Sequence, residues 1–148
     1  MPHDSLAERG PAAIEVAACS WRYAELVKPA GMDQCIVACN HGAAAVVGYN
    51  WPDVRLLWRS GRNGADLALR EVLLEENVAG RFGHVVLGSG DGLFAEPVSR
   101  LGRDGVHVTV VANRWSLSRR LELAAAAVVY FDGPLPPVTP AALRPKAA

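Results

Sequence analysis

Two aspartates sit where an apolar run gives way to an amphipathic one. In "VVLGSGDGLFAEPV", residues 85–98, Asp91 follows a β-branched run and a glycine turn. In "SGRNGADLAL", residues 60–69, Asp66 opens the segment after another apolar run. In an open α/β sheet, ligands gather beyond the carboxyl ends of the strands, so acids at two such turns can converge. Two carboxylates at 4 Å repel by roughly 4 kcal/mol at an effective dielectric near 20. A divalent cation relieves that repulsion, and oxygen ligands suit Mg²⁺ or Mn²⁺ better than zinc. The bland alternative is that each acid caps its helix and complements the dipole. For Asp66, a surface pair with Arg70 four residues on is a further ordinary role.

The elements that must carry these acids follow from periodicity. Residues 12–28 read as a helix, 35–40 as a strand, 41–50 as a short helix and 54–60 as a second strand. Residues 64–76 form a helix with Leu69, Val72 and Leu73 on one stripe, and 83–89 a third strand. A helix follows over 92–105, with Phe94, Val98 and Leu101 at buried spacing and Pro97 tolerable near its start. A fourth strand spans 106–112, Ser116 caps a helix through "LSRRLELAA", and a fifth strand ends near Asp132. Strands alternating with helices imply βαβ units, and continuously apolar strands imply cover on both faces. The expected architecture is therefore a mostly parallel sheet with helices on both faces. Residues 1–132 are expected to form one domain, and the proline-rich residues 133–148 a disordered tail.

At 148 residues with 51% hydrophobic and 20% charged side chains, the chain is that of a globular domain. Lys+Arg and Asp+Glu balance at 15 each, so net charge draws no polyanion and only a local basic patch could. No apolar run reaches the roughly 20 residues of a membrane span, and no basic-then-apolar leader opens the chain. A cytoplasmic location with no membrane partner is the expectation, and self-association is left open. Cys19, Cys35 and Cys39 read as buried reduced thiols, since Cys39 and His41 have no second ligand pair for zinc. The "GSGDG" turn lacks the third glycine of a dinucleotide fingerprint, Leu93 standing there, and no G-K-[ST] phosphate loop occurs. His41 is a rim candidate, while His84 and His107 look structural. Of the tryptophans that could stack on bases, Trp51, Trp58 and Trp115, Trp58 reads as core and Trp115, beside Arg114, as the better candidate.

"GADLALREVL", then "HVVLGSGDGLFAEPVSRLGRDGVHVTVVA", then "SLSRRLELAAAAVVYF" together resemble a NYN domain, a PIN-like ribonuclease fold. The resemblance runs over residues 35–131 and implies a three-layer α/β fold. Asp66 matches the acid of the family's "GAD" helix start and Asp91 that of its "SGD" turn. It further implies a cluster of acids holding Mg²⁺ or Mn²⁺ and hydrolysing single-stranded RNA. In that reading Asp66 and Asp91 are catalytic metal ligands. Ser89 steadies the turn next to substrate, and Asn113, Arg114, Arg119 and Arg120 hold phosphates, unless they are simply a solvated face. The chain departs from the pattern in three ways. The usual first strand is missing, with Asp4 the remnant of its acid. Leu93 replaces an acid, and alanines replace another before the last strand. A catalytically inactive RNA- or protein-binding module on the same fold is the alternative. The missing strand would leave ladder groups unpaired, which points to an upstream start or to another segment or another chain filling the gap; the upstream start is the favoured expectation.

Overall fold

The computed structural model describes residues 13–27, 33–51, 53–131 and 138–145. Helix α1 (Ala13–Val27) leads to β1 (Gln34–Cys39), a 3₁₀ turn (His41–Ala43) and α2 (Ala44–Asn50). Then come β2 (Arg55–Trp58), α3 (Gly64–Glu75), the short α4 (Val78–Arg81) and β3 (Phe82–Gly88). A 3₁₀ turn (Gly92–Phe94) opens α5 (Ala95–Arg103), and β4 (His107–Ala112), α6 (Arg119–Ala124), β5 (Ala127–Tyr130) and β6 (Val138–Pro145) follow. The six strands form one sheet in the order β2-β1-β6-β3-β4-β5.

Side-chain alternation divides the core into two halves, as a period of two requires. Ile36, Ala38, Val85, Leu87, Val110, Ala141 and Leu143 face α3 and α5, where they meet Leu69, Val72, Leu73, Val98 and Leu101. Val37, Cys39, Val86, Val111 and Ala142 face the other way, onto Val16, Cys19 and Tyr23 of α1 and Val47 of α2. The expected three layers, with helices on both faces, are therefore present. Pro97 is the third residue of α5, inside the first turn, where no intrahelical donor is lost. The thiols of Cys19 and Cys35 are pushed up to about 11 by burial, which keeps them protonated and inert. His84 and His107 pack edge to face at 4.8 Å near the amino ends of β3 and β4.

The largest departure from expectation concerns residues 138–145. They are the fourth strand in from one edge of the sheet, not part of a disordered tail. Strand β6 runs antiparallel to β1 from Gln34↔Leu143 to Cys39↔Val138, and antiparallel to β3 from Phe82↔Pro145 to Leu87↔Ala141. It supplies the ladder partners whose absence suggested an upstream start; here a segment of the same chain fills the gap. Two small residues, Ala141 and Ala142, let the strand pass between two helical layers. Pro140 falls at the rung where β3 ends, beside Gly88, and any Cβ on Gly88 would overlap the proline ring. Arg144 fixes the far end by donating to the Val27 carbonyl (2.7 Å) and ion-pairing with Asp33 (3.3 Å). Of the expected tail, residues 133–137 and 146–148 lie outside the described residues.

Smaller corrections follow from packing. Helix α6 begins at Arg119 with Ser118, not Ser116, at its cap position. Trp58 is not core: it lies on the edge strand β2 and is 55% exposed. Trp51 is buried against Tyr23, out of reach of any base.

Candidate active site

Strands β1 and β3 are each antiparallel to β6, so all five other strands run the same way and end on one rim. Asp91 stands on that rim, immediately after β3 and its glycine turn. Its main chain is extended (φ −73°, ψ 134°) and its Oδ1 accepts from the Leu93 N–H at 2.8 Å. The capping role is therefore real. Ser89, buried, accepts from the Asp91 N–H through its hydroxyl at 3.2 Å and so does steady the turn. The glycines of "GSGDG" are explained by crowding. A Cβ on Gly90 would collide with the Ser116 carbonyl oxygen, and the Gly90 carbonyl accepts from the Ser118 N–H at 2.8 Å. Gly90→Ala is expected to lower stability by about 1–3 kcal/mol, because the β4–α6 loop must move to admit the methyl group. A urea melt of the full chain measures this.

Asp66 lies in the first turn of α3, two residues past the helix start, so it complements the dipole without being the cap residue. The cap position belongs to Asn63, whose side chain makes no capping bond. Nor does Asp66 serve Arg70, which turns instead to Glu96 at 3.2 Å. What Asp66 faces is Asp91. Burial, the Asp91 charge and a side-chain hydrogen bond between the two acids together hold the Asp66 carboxyl above its ordinary 3.8. Two acids from different strand-to-helix turns thus meet in one place, Asp66 half-buried and Asp91 exposed.

This contact has a stability consequence. Asp66 binds its proton more tightly folded than unfolded, so stability is lost as pH rises from about 3.8 through the folded value, and stays lost above it. In chelator at neutral pH, Asp66→Asn is expected to melt a few degrees above the wild type. If the pair binds a divalent cation, added Mn²⁺ should reverse the order by stabilising only the chain that keeps both carboxylates. A Mn²⁺ response equal in both proteins would show that Asp66 is not a ligand.

The remaining candidates divide. Asn113 directly follows β4 and its carbonyl accepts from the Ser116 N–H at 3.1 Å, closing the turn that abuts Gly90. Arg114 lies over the ring of Tyr130, 4.7 Å from its centroid, a partner the sequence reading did not anticipate. Arg119 and Arg120 are exposed at the start of α6. His41 is exposed just past β1, on the same rim. Asp4 lies outside the described residues, and among the described residues no group of three or more His, Cys, Asp or Glu is placed to hold a metal ion. A separate cleft beside β2 carries charge, but Arg59 and Glu71 satisfy one another across it, as do Arg55 and Glu76.

A mostly parallel three-layer α/β sheet with two acids at the carboxyl rim is compatible with the PIN-like class, and the sequence comparison supplies the family. The sequence matches the NYN domain family over residues 3–132, and the chain belongs to that family. The match ends before β6, so the strand at the middle of the sheet comes from outside the family region. A protein of unknown function from Vibrio parahaemolyticus, known from a crystal structure, is similar at 24% identity and TM-score 0.47, over 62% of this chain and 58% of that one. The similarity thus spans less than two thirds of that protein. No curated protein matches the sequence. Among the described residues, no helix is long and apolar enough to cross a membrane.

Proposed function

We propose that the protein is a divalent-metal-dependent ribonuclease that hydrolyses single-stranded RNA at the Asp66–Asp91 pair. One observation supports this above the rest: two carboxylates from separate turns are held against each other, at the cost of a raised Asp66. Two carboxylates held this close at the carboxyl rim of the sheet repel each other, and a divalent cation would relieve that repulsion. The donor set fits a hard cation, because Mg²⁺ commonly takes one or two carboxylates and completes its shell with water and substrate phosphate. Such an ion would supply charge neutralisation at the phosphodiester and a more acidic attacking water.

The chain's own residues have distinct tasks. Asp66 and Asp91 hold the negative charge that recruits the ion. Asp91 is oriented by its bond to the Leu93 N–H, and the backbone beneath it by Ser89. Arg119 and Arg120, exposed beyond the neighbouring loop, can bind flanking phosphates. The test is cleavage of a single-stranded RNA in Mg²⁺ or Mn²⁺ against the same reaction in EDTA. Cleavage only with metal is expected; turnover unchanged in EDTA would sink the proposal.

A second reading has its own support. Leu93 stands at one acid position of the family pattern, and the described residues gather only two acids at the rim. A module that binds RNA without cutting it would retain RNA in EDTA and show no turnover in either metal. A protein-binding module would do neither.

A further inference from the structure

We infer that Trp115 is a base-stacking residue that places single-stranded RNA beside the acid pair, with Arg114 and Tyr130 forming the adjoining part of the track. This rests on RNA being the polymer at Asp66 and Asp91, and it adds how the strand is gripped and why it must be single. Trp115 is 95% exposed, so it contributes almost nothing to the core. It is nevertheless not on a loose loop. The Ser116 N–H bonds to the Asn113 carbonyl (3.1 Å), and the Ser118 N–H to Gly90 (2.8 Å). The Ser116 carbonyl lies against Gly90 so closely that no side chain fits there. Trp115 and Asp91 are each the next residue from that contact. The indole is therefore held out into solvent on a turn locked to the catalytic one.

The surroundings select the occupant. An indole almost wholly exposed to water beside cations suits a nucleobase flanked by phosphates. Arg114 already lies across Tyr130, presenting a guanidinium plane with an aromatic ring beneath it. Tyr130 ends β5, next to β4 on the same rim, and Arg119 and Arg120 follow on α6. Acidic residues are sparse in this stretch: from Asn113 to Leu121 there are three arginines and no acid. A polyanion with unstacked bases matches this surface. A duplex does not, because its bases are stacked on one another and unavailable to an indole.

The test is binding of a fluorescein-labelled single-stranded oligouridylate to the full-length chain, read by anisotropy in EDTA so that cleavage plays no part. Trp115→Ala is expected to weaken binding about tenfold, the lower part of the range for a base stacked on an aromatic ring. Trp115→Phe keeps a ring and retains most of the affinity. An abasic oligonucleotide of the same length binds wild type and Trp115→Ala alike, since only phosphates remain. At 95% exposure, none of these changes should alter the melting temperature. The inference is overturned if Trp115→Ala changes affinity for the base-bearing strand by less than about twofold, or if it weakens the abasic strand equally. It is also overturned if the wild type binds no RNA and sedimentation shows a dimer that Trp115→Ala dissociates, in which case a second copy covers the indole. Base-dependent binding without metal-dependent cleavage would remove the nuclease and leave the stacking residue. Cleavage with binding indifferent to Trp115 would do the reverse.

Discussion

Ala142→Asp leaves no cooperatively folded protein. Ala142 is fully buried in β6, with β1 on one side and β3 on the other. Its methyl group faces the half of the core that holds Val37, Val86 and Tyr23. An aspartate there would bury a carboxylate among apolar side chains; Arg144, two residues on along the same face, is already engaged by the Val27 carbonyl and Asp33, and a poorly compensated buried carboxylate costs several kcal/mol. A domain of this size holds only about 5–15 kcal/mol in reserve, so one such charge consumes most or all of it. Leu123→Asp is the control, since Leu123 is 74% exposed in the last turn of α6 and the introduced charge should cost only about 1 kcal/mol, from helix propensity and the dipole. Circular dichroism melts separate the two. A melting curve for Ala142→Asp that overlays the wild type would mean that residues 138–145 are not between β1 and β3.

Under the proposed nuclease function, Asp91→Asn is expected to keep the fold and lose RNA cleavage. Asparagine caps a helix start as well as aspartate does, so the bond to the Leu93 N–H survives. What goes is the charge that, in the proposed mechanism, recruits the cation together with Asp66. Removing a single preorganised electrostatic stabiliser commonly costs about 10²–10³ in rate, and loss of the ion should cost at least that. Asp91→Ala separates the two roles of this residue. It loses the cap as well, and stability should fall by about 1 kcal/mol while the rate falls as far as in Asp91→Asn. Initial rates in Mn²⁺, taken with the melting temperature of each variant, give both quantities. Cleavage by Asp91→Asn at the wild-type rate would show that the chemistry lies elsewhere.

Much of this molecule was legible before any coordinates. The run 85–89 could be placed as a buried strand because Val85, Val86 and Leu87 leave no polar face, and Asp91 as a turn residue because glycines surround it. Leu69, Val72 and Leu73 fixed the buried side of α3 through helical spacing alone, and all three are buried. These are local properties, set by side-chain period and backbone preference within a few residues. Trp58 departs from its expected place in the core for the same reason. Its type and neighbours resemble those of a core strand, but burial depends on whether another strand lies beyond it, and β2 is at the edge.

The sequence by itself determined the alternation of strand and helix and put an acid at each of two strand-to-helix turns, because both depend on short-range pattern. Only the tertiary structure decided that Asp66 and Asp91 touch, and that "VTPAALRP" is the strand at the middle of the sheet. Neither fact has a local cause. An Ala- and Pro-rich stretch has little strand preference of its own, and β6 is held by ladders on both sides to segments that precede it by about a hundred and about fifty-five residues. The acid pair, likewise, is unfavourable taken alone and persists because α3 and the β3 turn are each fixed by packing elsewhere.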